Sequence, residues 1–413
     1  ALTDLDVFVD VGGDPVRAGV AYFPPRRSGV ATTFTYDPTY LADATAADLE
    51  PGLPRVGGQQ YVDGLPGAFA DSSPDRWGRN LIDKRRRAAQ RETPQRLPAA
   101  TAIDYLVGVS DITRQGGLRF TGRDDPDGFL APGHDVPKLV SLPALLDAAD
   151  HVVRSGAHTA GDLDAVKSLL DAGSGSLGGA RPKASVRADD GRLLIAKFPH
   201  QGDEWDVMAW EKTALDLAEA AGITVPPRRL TKVGPRSVLL LERFDRSGST
   251  RIGYISAMTL LGARDGDERD YADIAEALPA YGASVRRDLA ELFRRVVFNV
   301  AIHNTDDHLR NHGFLRAKGG WSLSPVFDVN PEPDLGKRRV TGIVGRVDDE
   351  PAALAAFADE CRLTPEQARA QVREVVAAVA AWREVSARNG IGPGEAGLFA
   401  EVVDHGLARL EGA

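Results

Sequence analysis

The 413-residue sequence predicts an α+β fold with a β-rich first part and a helical second part. Two observations support this prediction. Short alternating apolar runs bounded by glycine and proline, which are typical of strands and turns, characterise the first part. Apolar residues at helical spacing dominate from about residue 256 onward. Such a division predicts two lobes with a cleft between them, and clefts are favoured ligand sites.

Residues 1–130 form the first predicted domain. Runs such as Gly19-Val20-Ala21-Tyr22-Phe23 indicate short strands separated by turns. The stretch 121–140 has three prolines and four aspartates, a composition that favours a connection over a regular element. Within this domain a helix is expected near 75–90. Beyond it, helices are expected near 142–155 and 160–171.

Residues 131–245 form the second predicted domain. Two strands, Lys183–Ala188 and Arg192–Phe198, are expected to form a hairpin because Asp190-Gly191 between them is a strong turn signal. A helix is predicted from about Asp206 to Ala221, where Gly222 ends it. A buried strand is predicted over Ser237–Glu242.

Residues 246–413 form the third predicted domain, which is mostly helical. The clearest helix spans about 288–302, because Leu289, Leu292, Val296 and Val300 share one face. The run Thr364-Pro365-Glu366-Gln367 is a capping box with proline at the first helical position, and it predicts a helix to about 388.

Composition limits the class of protein. A hydrophobic content of 43% and a charged content of 26% are ordinary for a globular domain. The single cysteine, Cys361, excludes an internal disulfide framework and a cysteine-rich zinc site. No apolar run approaches the roughly 20 residues that cross a bilayer, and the first residues lack the pattern of a signal peptide. We therefore expect a soluble, cytoplasmic protein.

Charge argues against a general nucleic-acid-binding surface, because the net charge is −9. The one dense basic run, Lys84–Arg87, is interpreted as a solvated helix face, with a phosphate-binding patch as the alternative.

The segment from His303 to Asp328 carries the strongest chemical signal. The helix at 288–302 leads into a polar loop that contains Asp306 and Asn311, and a predicted hairpin then leads to Asp328. Phosphoryl transfer needs one aspartate at the attacking hydroxyl and oxygen ligands for magnesium on the triphosphate. Protein kinases place an Asp and an Asn five residues apart, followed by a second metal-binding Asp. Asp306 and Asn311 have that spacing, whereas ordinary turn and cap residues are the alternative interpretation.

A glycine-rich run precedes the 183–198 hairpin. The run extends from Gly173 through Ser174 to Gly179 and contains the candidate ATP-binding residues Gly175, Ser176, Leu177, Gly178 and Gly179. Its small residues would let backbone N–H groups approach phosphate oxygens, although a flexible linker has the same composition.

Lys197 closes the apolar strand that follows this run. A lysine at that position is the arrangement that holds ATP phosphates in kinases, and a surface lysine at a strand end is the alternative. Glu211 on the next helix is a candidate partner for Lys197, and a solvent-exposed glutamate is the alternative.

Two further groups flank these elements. Glu242, Phe244 and Asp245 follow the 237–242 strand, where an apolar slot would hold adenine and Asp245 would reach a ribose hydroxyl. His303 and His308 flank Asp306, but no third His or Cys lies at zinc spacing, so magnesium suits the site better. Both histidines are interpreted as loop-orienting or substrate-edge residues, and His308 is counted with the ATP site.

With these residues assembled, the chain resembles the HipA family of bacterial toxin kinases over about residues 1–385. The stretches that match the family occur in family order, and the Asp71–Gly78 run and the NTDxHxxN-type loop are the most specific. They are Gly64–Gly78, Ser176–Lys183, Ile195–Pro199, Leu241–Arg246, Phe298–Asn311 and Leu323–Val329.

The resemblance implies a two-lobed, protein-kinase-like fold with residues up to about 130 as an extra N-terminal subdomain. It implies Asp306 as the catalytic base, Asn311 and Asp328 as Mg²⁺ ligands and Lys197 on the ATP phosphates. It aligns Ser176 with a serine that family members phosphorylate on themselves, which inactivates the kinase.

The resemblance also implies a substrate and a partner. Family substrates are components of the translation machinery, typically an aminoacyl-tRNA synthetase, and the usual partner is a small helix-turn-helix antitoxin of the HipB type that recruits the toxin to operator DNA. Any DNA contact is expected through that antitoxin.

One departure concerns the segment after residue 245. Many family members carry a basic-polar stretch there, whereas this chain has Arg251–Ala257 with the sequence RIGYISA. This difference bears on the protein substrate and not on the phosphoryl chemistry. Two alternative functions also stay open: an antitoxin-binding co-repressor with little kinase activity, and a small-molecule kinase.

Overall fold

The computed structural model describes residues 4–26, 29–92, 98–123, 125–131, 136–154, 160–173, 181–345 and 349–411. The chain divides into two compact units. Unit 1 comprises residues 1–202 and 233–255, and unit 2 comprises residues 203–232 and 256–413. The predicted boundaries at 130 and 245 stay a prediction, but the helix near 206–221, which those boundaries place in the second domain, belongs to unit 2.

Unit 1 begins with an antiparallel sheet whose strand order is β4-β3-β2-β1-β5-β6. Leu5 and Val7 of β1 are fully buried, as are Ala21 and Phe34 on neighbouring strands, so one face of the sheet is covered. The strands are β1 (Asp4–Val11), β2 (Asp14–Tyr22), β3 (Ala31–Tyr36), β4 (Gln59–Asp63), β5 (Leu118–Gly122) and β6 (Asp125–Phe129). The prediction of short strands over residues 1–130 is confirmed.

The helices of unit 1 lie between and after these strands. The predicted helices near 75–90, 142–155 and 160–171 are confirmed as α3, α5 and α6. The full set is α1 (Pro38–Ala42), α2 (Gly67–Asp71), α3 (Arg76–Glu92), α4 (Ala102–Gly108), α5 (Leu142–Arg154) and α6 (Ala160–Asp171).

A second antiparallel arrangement in unit 1 contains β7 (Lys183–Arg187), β8 (Leu193–Lys197) and β10 (Arg236–Glu242), with β8 in the middle. The predicted hairpin is confirmed: Gly191 has φ +88°, a conformation that glycine adopts without strain. Trp77 and Leu81 of α3 share one buried core with these strands and with α5 and α6. The short strands β11 (Arg246–Ser247) and β12 (Thr250–Arg251) follow.

Unit 2 is mostly helical. Its helix α10 is the predicted 288–302 helix, and its apolar stripe is buried as expected. The elements of unit 2 are α7 (Val207–Ala220), α8 (Ala257–Leu260), α9 (Tyr271–Tyr281), α10 (Val285–Ala301), β14 (Gly313–Ala317), β15 (Gly320–Leu323), α11 (Glu350–Glu360), α12 (Pro365–Ala380), α13 (Trp382–Arg388) and α14 (Pro393–Glu411). Strands β9 (Arg228–Val233) and β13 (Tyr254–Ser256) run across the unit boundaries.

The helix predicted from Thr364 to about 388 is interrupted. Its capping box forms as expected, but α12 ends at Ala380 and α13 begins at Trp382. Trp382 is 1% exposed, and its ring centroid lies 6.2 Å from that of Trp210 on α7. The break at Ala381 thus coincides with a buried indole beside α7, and no glycine or proline marks it in the sequence. In the described parts of the chain, no helix is long and apolar enough to cross a membrane.

Candidate active site

The polar loop begins where α10 ends. Ile302 caps the helix, and His303 then takes the left-handed conformation with φ +54°, which redirects the chain. The His303 carbonyl accepts a hydrogen bond from Glu332 N at 3.1 Å. The Nε2 atom of the His303 ring lies 3.1 Å from the Asp334 carbonyl oxygen. The entry to the loop is therefore held by a segment that follows Asp328 in the chain.

The two adjacent aspartates of the loop have opposite environments. Asp306 is exposed, whereas Asp307 is 4% exposed. Asp307 Oδ2 accepts hydrogen bonds from the Tyr271 hydroxyl (2.6 Å) and the Asn299 amide (2.7 Å), and His312 Nε2 lies 2.8 Å from it. Asp307 anchors the loop, and Asp306 is the carboxylate that solvent or a substrate can reach.

Electrostatics favour a charged Asp307. Burial alone would raise the pKa of Asp307, but the charge and hydrogen bond of His312 and the hydrogen bond from Tyr271 outweigh it and hold that pKa below its usual range. Burial, followed by the nearby Asp307 charge, raises the pKa of Tyr271 well above its ordinary value. The Tyr271 hydroxyl therefore stays protonated and donates a hydrogen bond to Asp307.

This difference in burial predicts that substitution by alanine destabilises the protein at position 307 but not at position 306. Asp307→Ala is expected to lower the free energy of unfolding by about 3 kcal/mol, because it leaves buried donors without an acceptor. The matched control Asp306→Ala should change it by less than about 0.5 kcal/mol, as at other exposed positions. Urea denaturation followed by circular dichroism measures both. Equal destabilisation by the two variants would contradict the anchoring role of Asp307.

The β14–β15 hairpin relates Asn311 to Asp328. Asn311 precedes β14 by two residues, and the first residue of that strand, Gly313, accepts a hydrogen bond from Ser324 N at 2.8 Å. The chain leaving the hairpin is fixed at Val326, whose N donates to the Thr224 carbonyl at 2.8 Å. Because both chain ends leave the same end of the hairpin, Asn311 and Asp328 are brought to one region of unit 2.

The side chains at this end suit a hard cation. Asn311 is 6% exposed, and its Nδ2 donates to the Asp306 carbonyl at 3.3 Å, so its amide oxygen is the candidate ligand atom. Asp328 has φ +57°, a conformation that few residues other than Gly, Asn and Asp tolerate. Strained backbone of this kind clusters at functional sites.

The donor atoms suit a magnesium ion that is also bound by substrate phosphates, and they do not form an all-protein metal site. Among the described residues, no three His, Cys, Asp or Glu side chains are grouped to hold a metal ion. Mg²⁺ is usually bound by one or two protein oxygens together with substrate phosphates and waters. An amide oxygen from Asn311 and a carboxylate from Asp328 match that pattern.

A cationic side chain faces the loop from the segment after Asp328. Lys337 Nζ pairs with Glu332 Oε2 at 2.6 Å. That hydrogen bond raises the pKa of Lys337, and the negative charge of Asp306 contributes in the same direction. Arg339 also reaches the loop, because its Nη1 donates to the Asn304 carbonyl at 2.8 Å. No local sequence pattern indicates either residue, because each lies more than 30 positions after the loop residue that it approaches.

Lys197 and Glu211 lie in different units. Lys197 closes β8 in unit 1 and is 8% exposed. Glu211 lies on α7 in unit 2 and is 1% exposed. Their burial rules out the interpretation of either residue as a solvated surface charge, and their pairing stays a prediction.

The residues after β10 are packed within unit 1. Asp245 is 3% exposed, accepts a hydrogen bond from Gly116 N at 2.8 Å, and pairs with Arg243 and Arg246. Burial alone would raise the pKa of Asp245, but the charges of both arginines hold that pKa well below its usual range. These contacts favour a structural role for Asp245, and its contact with ribose stays a prediction.

The neighbours of Asp245 also have partners within unit 1. Glu242 pairs with Arg192, and the Phe244 ring centroid lies 6.3 Å from that of Tyr254. Arg243 donates to the Thr113 carbonyl at 2.6 Å, a contact across 130 positions that no local sequence pattern signals.

Residues 174–180 lie outside the described residues, and they include Gly175, Ser176, Leu177, Gly178 and Gly179 of the glycine-rich run. The chain on either side of residues 174–180 is well anchored. Gly173 has φ +65° and approaches Thr113 so closely that an added Cβ would meet Thr113 Oγ1 at 2.3 Å. On the other side, the Pro182 carbonyl accepts a hydrogen bond from Phe198 N at 2.9 Å, beside Lys197.

Comparison with known proteins identifies related sequences. Among curated proteins, Y4mE of Sinorhizobium fredii, which is named as a candidate kinase, is 27% identical over 203 residues. That match covers 42% of this chain and 46% of Y4mE, so the chain matches about half the length of that relative.

Among solved structures, the toxin–antitoxin complex of HipA, HipB and operator DNA from Shewanella oneidensis MR-1 contains a similar chain. The TM-score is 0.68 at 15% identity, over 98% of this chain and 96% of that chain. This likeness confirms the predicted α+β, protein-kinase-like fold with its additional β-rich N-terminal part and its helical C-terminal part.

Two family models match the sequence directly. The model of the HipA N-terminal domain matches residues 18–103, and the model of the HipA-like C-terminal domain matches residues 175–382. The second match alone spans half of the 413 residues. The chain therefore belongs to the HipA family.

Proposed function

We propose that this protein is an ATP-dependent serine/threonine kinase and acts as the toxin of a toxin–antitoxin pair. The observation that carries the proposal is the contrast within the 306–311 loop: a buried, hydrogen-bonded Asp307 holds an exposed Asp306 beside Asn311. Such a loop presents one carboxylate to an incoming hydroxyl. Membership of the HipA family supports the same reaction class.

Asp306 is the proposed catalytic base. Its carboxylate would accept a hydrogen bond from the attacking hydroxyl and then take the proton as the O–P bond forms. Lys337, which lies within electrostatic range of Asp306, supplies positive charge near the carboxylate. His308, half-buried in the same loop, is proposed to border the ATP phosphates.

Asn311 and Asp328 are the proposed Mg²⁺ ligands. A bound magnesium ion would neutralise the developing charge on the phosphates and orient the γ-phosphoryl group for in-line transfer. Asp328 is suited to this task because its left-handed backbone fixes where the carboxylate leaves the chain.

The residues of unit 1 are proposed to bind the nucleotide. Lys197 would hold the phosphates, and the backbone of residues 175–179 would surround them. Glu242, Phe244 and Asp245 are proposed to border the adenosine. Of these, Asp245 would act mainly through its fixed contacts with Arg243 and Gly116, which keep the chain after β10 in place.

The proposed partner and substrate are those that the resemblance to the HipA family implies. A HipB-type helix-turn-helix antitoxin is the proposed partner, with DNA reached through it, because the similar solved chain belongs to a complex of HipA, HipB and operator DNA. A translation component, such as an aminoacyl-tRNA synthetase, is the proposed substrate. Arg251, within the divergent RIGYISA segment, pairs with Asp111 at 2.9 Å inside unit 1. That ion pair gives Arg251 a structural contact within unit 1.

Autophosphorylation provides the first test. Incubating the full chain with magnesium and ATP should place phosphate on Ser176, which mass spectrometry of tryptic peptides detects as an added phosphate group. A dianion in the glycine-rich run would compete with the ATP phosphates, so the modified protein should lose ATP affinity. Ser174→Ala, two residues away in the same run, is the matched control and should keep the Ser176 modification.

The alternatives give different results in the same experiment. A co-repressor would bind its antitoxin and leave Ser176 and all proteins of a cell extract unmodified. A small-molecule kinase would consume ATP without labelling protein. Absence of phosphate on Ser176 and on every extract protein, with ATP binding intact, would contradict the proposed protein kinase.

A further inference from the structure

Two lysines lie directly opposite each other in the β7–β8 pair. Lys183, the first residue of β7, is in register with Lys197, the last residue of β8. They are 2% and 8% exposed. Directly opposed residues of antiparallel strands project from the same face, with Cβ atoms about 5 Å apart. Like charges directly opposite each other destabilise a sheet, and a buried ammonium group is costly unless a counter-charge neutralises it.

Asp75 neutralises Lys183. Lys183 Nζ lies 2.7 Å from Asp75 Oδ2, and the two side chains are 2% and 8% exposed. The other carboxylate oxygen of Asp75, Oδ1, accepts a hydrogen bond from Gly78 N at 2.7 Å and so caps the first turn of α3. The carboxylate is therefore fixed by the helix on one side and by Lys183 on the other.

The helix that follows Asp75 is itself fixed to the strands that carry the lysines. Trp77 and Leu81 of α3 are 5% and 0% exposed, and they share one core with Ala184 of β7 and Ala196 of β8. Apolar packing thus holds Asp75 in place beside Lys183, which is in register with Lys197 on the neighbouring strand. The ion pair is buried and does not depend on a side chain at the surface.

We propose that Asp75 is a positioning residue of the nucleotide site: it holds Lys183 in a structural ion pair, so that only Lys197 of the two opposed lysines serves the ATP phosphates. The inference rests on the proposed function, because that proposal assigns the phosphates to Lys197. It also gives a role to the Asp71–Gly78 stretch, which the proposed chemistry leaves unused.

The two lysines should respond differently to removal of one charge. Lys183→Met leaves the Asp75 carboxylate buried without its cation, and Lys197 on the opposing strand becomes the cation that compensates it. Lys197 would then be drawn from the phosphates, and the affinity for a non-hydrolysable ATP analogue with magnesium should fall about tenfold or more. Adenosine affinity should stay unchanged, because adenosine has no phosphate.

Removing the charges of both Asp75 and Lys183 should restore the affinity for the ATP analogue. In the double variant Asp75→Asn/Lys183→Met, the new amide oxygen still caps α3, and no carboxylate remains at position 75 to compete for Lys197. Affinity for the ATP analogue should return to within about threefold of the unmodified protein. Arg17→Met breaks the Arg17–Asp6 pair (2.6 Å) elsewhere in unit 1, and it serves as the control for a structural ion pair without effect on either ligand.

Isothermal titration calorimetry on the full chain, with the ATP analogue plus magnesium and with adenosine, provides the measurement. Equal weakening of both ligands by Lys183→Met, or a double variant as weak as the single one, would overturn the inference. If Lys183→Met does not fold, Lys183→Gln replaces it with the same expectation. Unchanged ATP-analogue affinity in Lys197→Met would instead refute the assignment of Lys197 in the proposed function, and the inference with it.

Discussion

Asp306→Asn is expected to lower kcat for phosphoryl transfer about a thousandfold while leaving ATP affinity within about twofold. The amide has nearly the same shape as the carboxylate, but it cannot take the proton of the attacking hydroxyl. Because Asp306 is exposed and Asp307 anchors the loop, the substitution should leave the fold intact. Steady-state kinetics with labelled ATP, together with ATP titration, measure the two quantities separately.

A matched control is available in the same unit. Asp265 is an exposed carboxylate that pairs with Arg310 of the same polar loop region. Asp265→Asn also removes one negative charge near the loop, and it should leave kcat within about threefold, since surface ion pairs contribute little. If both variants lose activity equally, the effect belongs to the charge of the region and not to a base at position 306.

Asp328→Asn is expected to lower kcat at least a hundredfold through loss of a magnesium ligand. Asn is the appropriate replacement because it tolerates the left-handed backbone that Asp328 adopts at φ +57°. Backbone strain therefore does not confound the result. The apparent dissociation constant for Mg²⁺, measured by magnesium titration of the rate at fixed ATP, should rise.

The magnesium titration distinguishes this prediction from simple misfolding. A variant that has lost a ligand should recover part of its rate at high magnesium, whereas a misfolded variant should not. An unchanged magnesium dependence together with a reduced rate would exclude Asp328 as a ligand.

Much of the fold could be predicted because local patterns coincide with the structure. The Asp190-Gly191 turn, the apolar stripe of α10 and the Thr364 capping box each depend on residues close together in the sequence, and each forms as predicted. The break at Ala381 could not be predicted, because no glycine or proline marks it. The adjacent Trp382 lies beside Trp210, which is 172 positions earlier in the chain. Local propensity carries no information about such a contact.

The same distinction between local and long-range contacts applies to the candidate site. Asp306, Asn311 and Asp328 could be proposed from spacing, because one helix, one loop and one hairpin connect them. The residues that hold them in place could not: Tyr271 reaches Asp307 from 36 positions away, and Asp75 reaches Lys183 from 108 positions away. For Asp245 the sequence suggested a ligand contact, but the structure shows a buried carboxylate bound to two arginines.

The proposed reaction is transfer of the γ-phosphoryl group of ATP to a protein hydroxyl at the 306–328 region. It is tested by incubating the pure chain with ATP labelled in either the α- or the γ-phosphate, followed by denaturing electrophoresis and phosphoamino-acid analysis. We expect covalent label from γ-labelled ATP only, recovered as phosphoserine or phosphothreonine and absent in Asp306→Asn. Label from the α-phosphate, or γ-label that persists undiminished in Asp306→Asn, would contradict the claim.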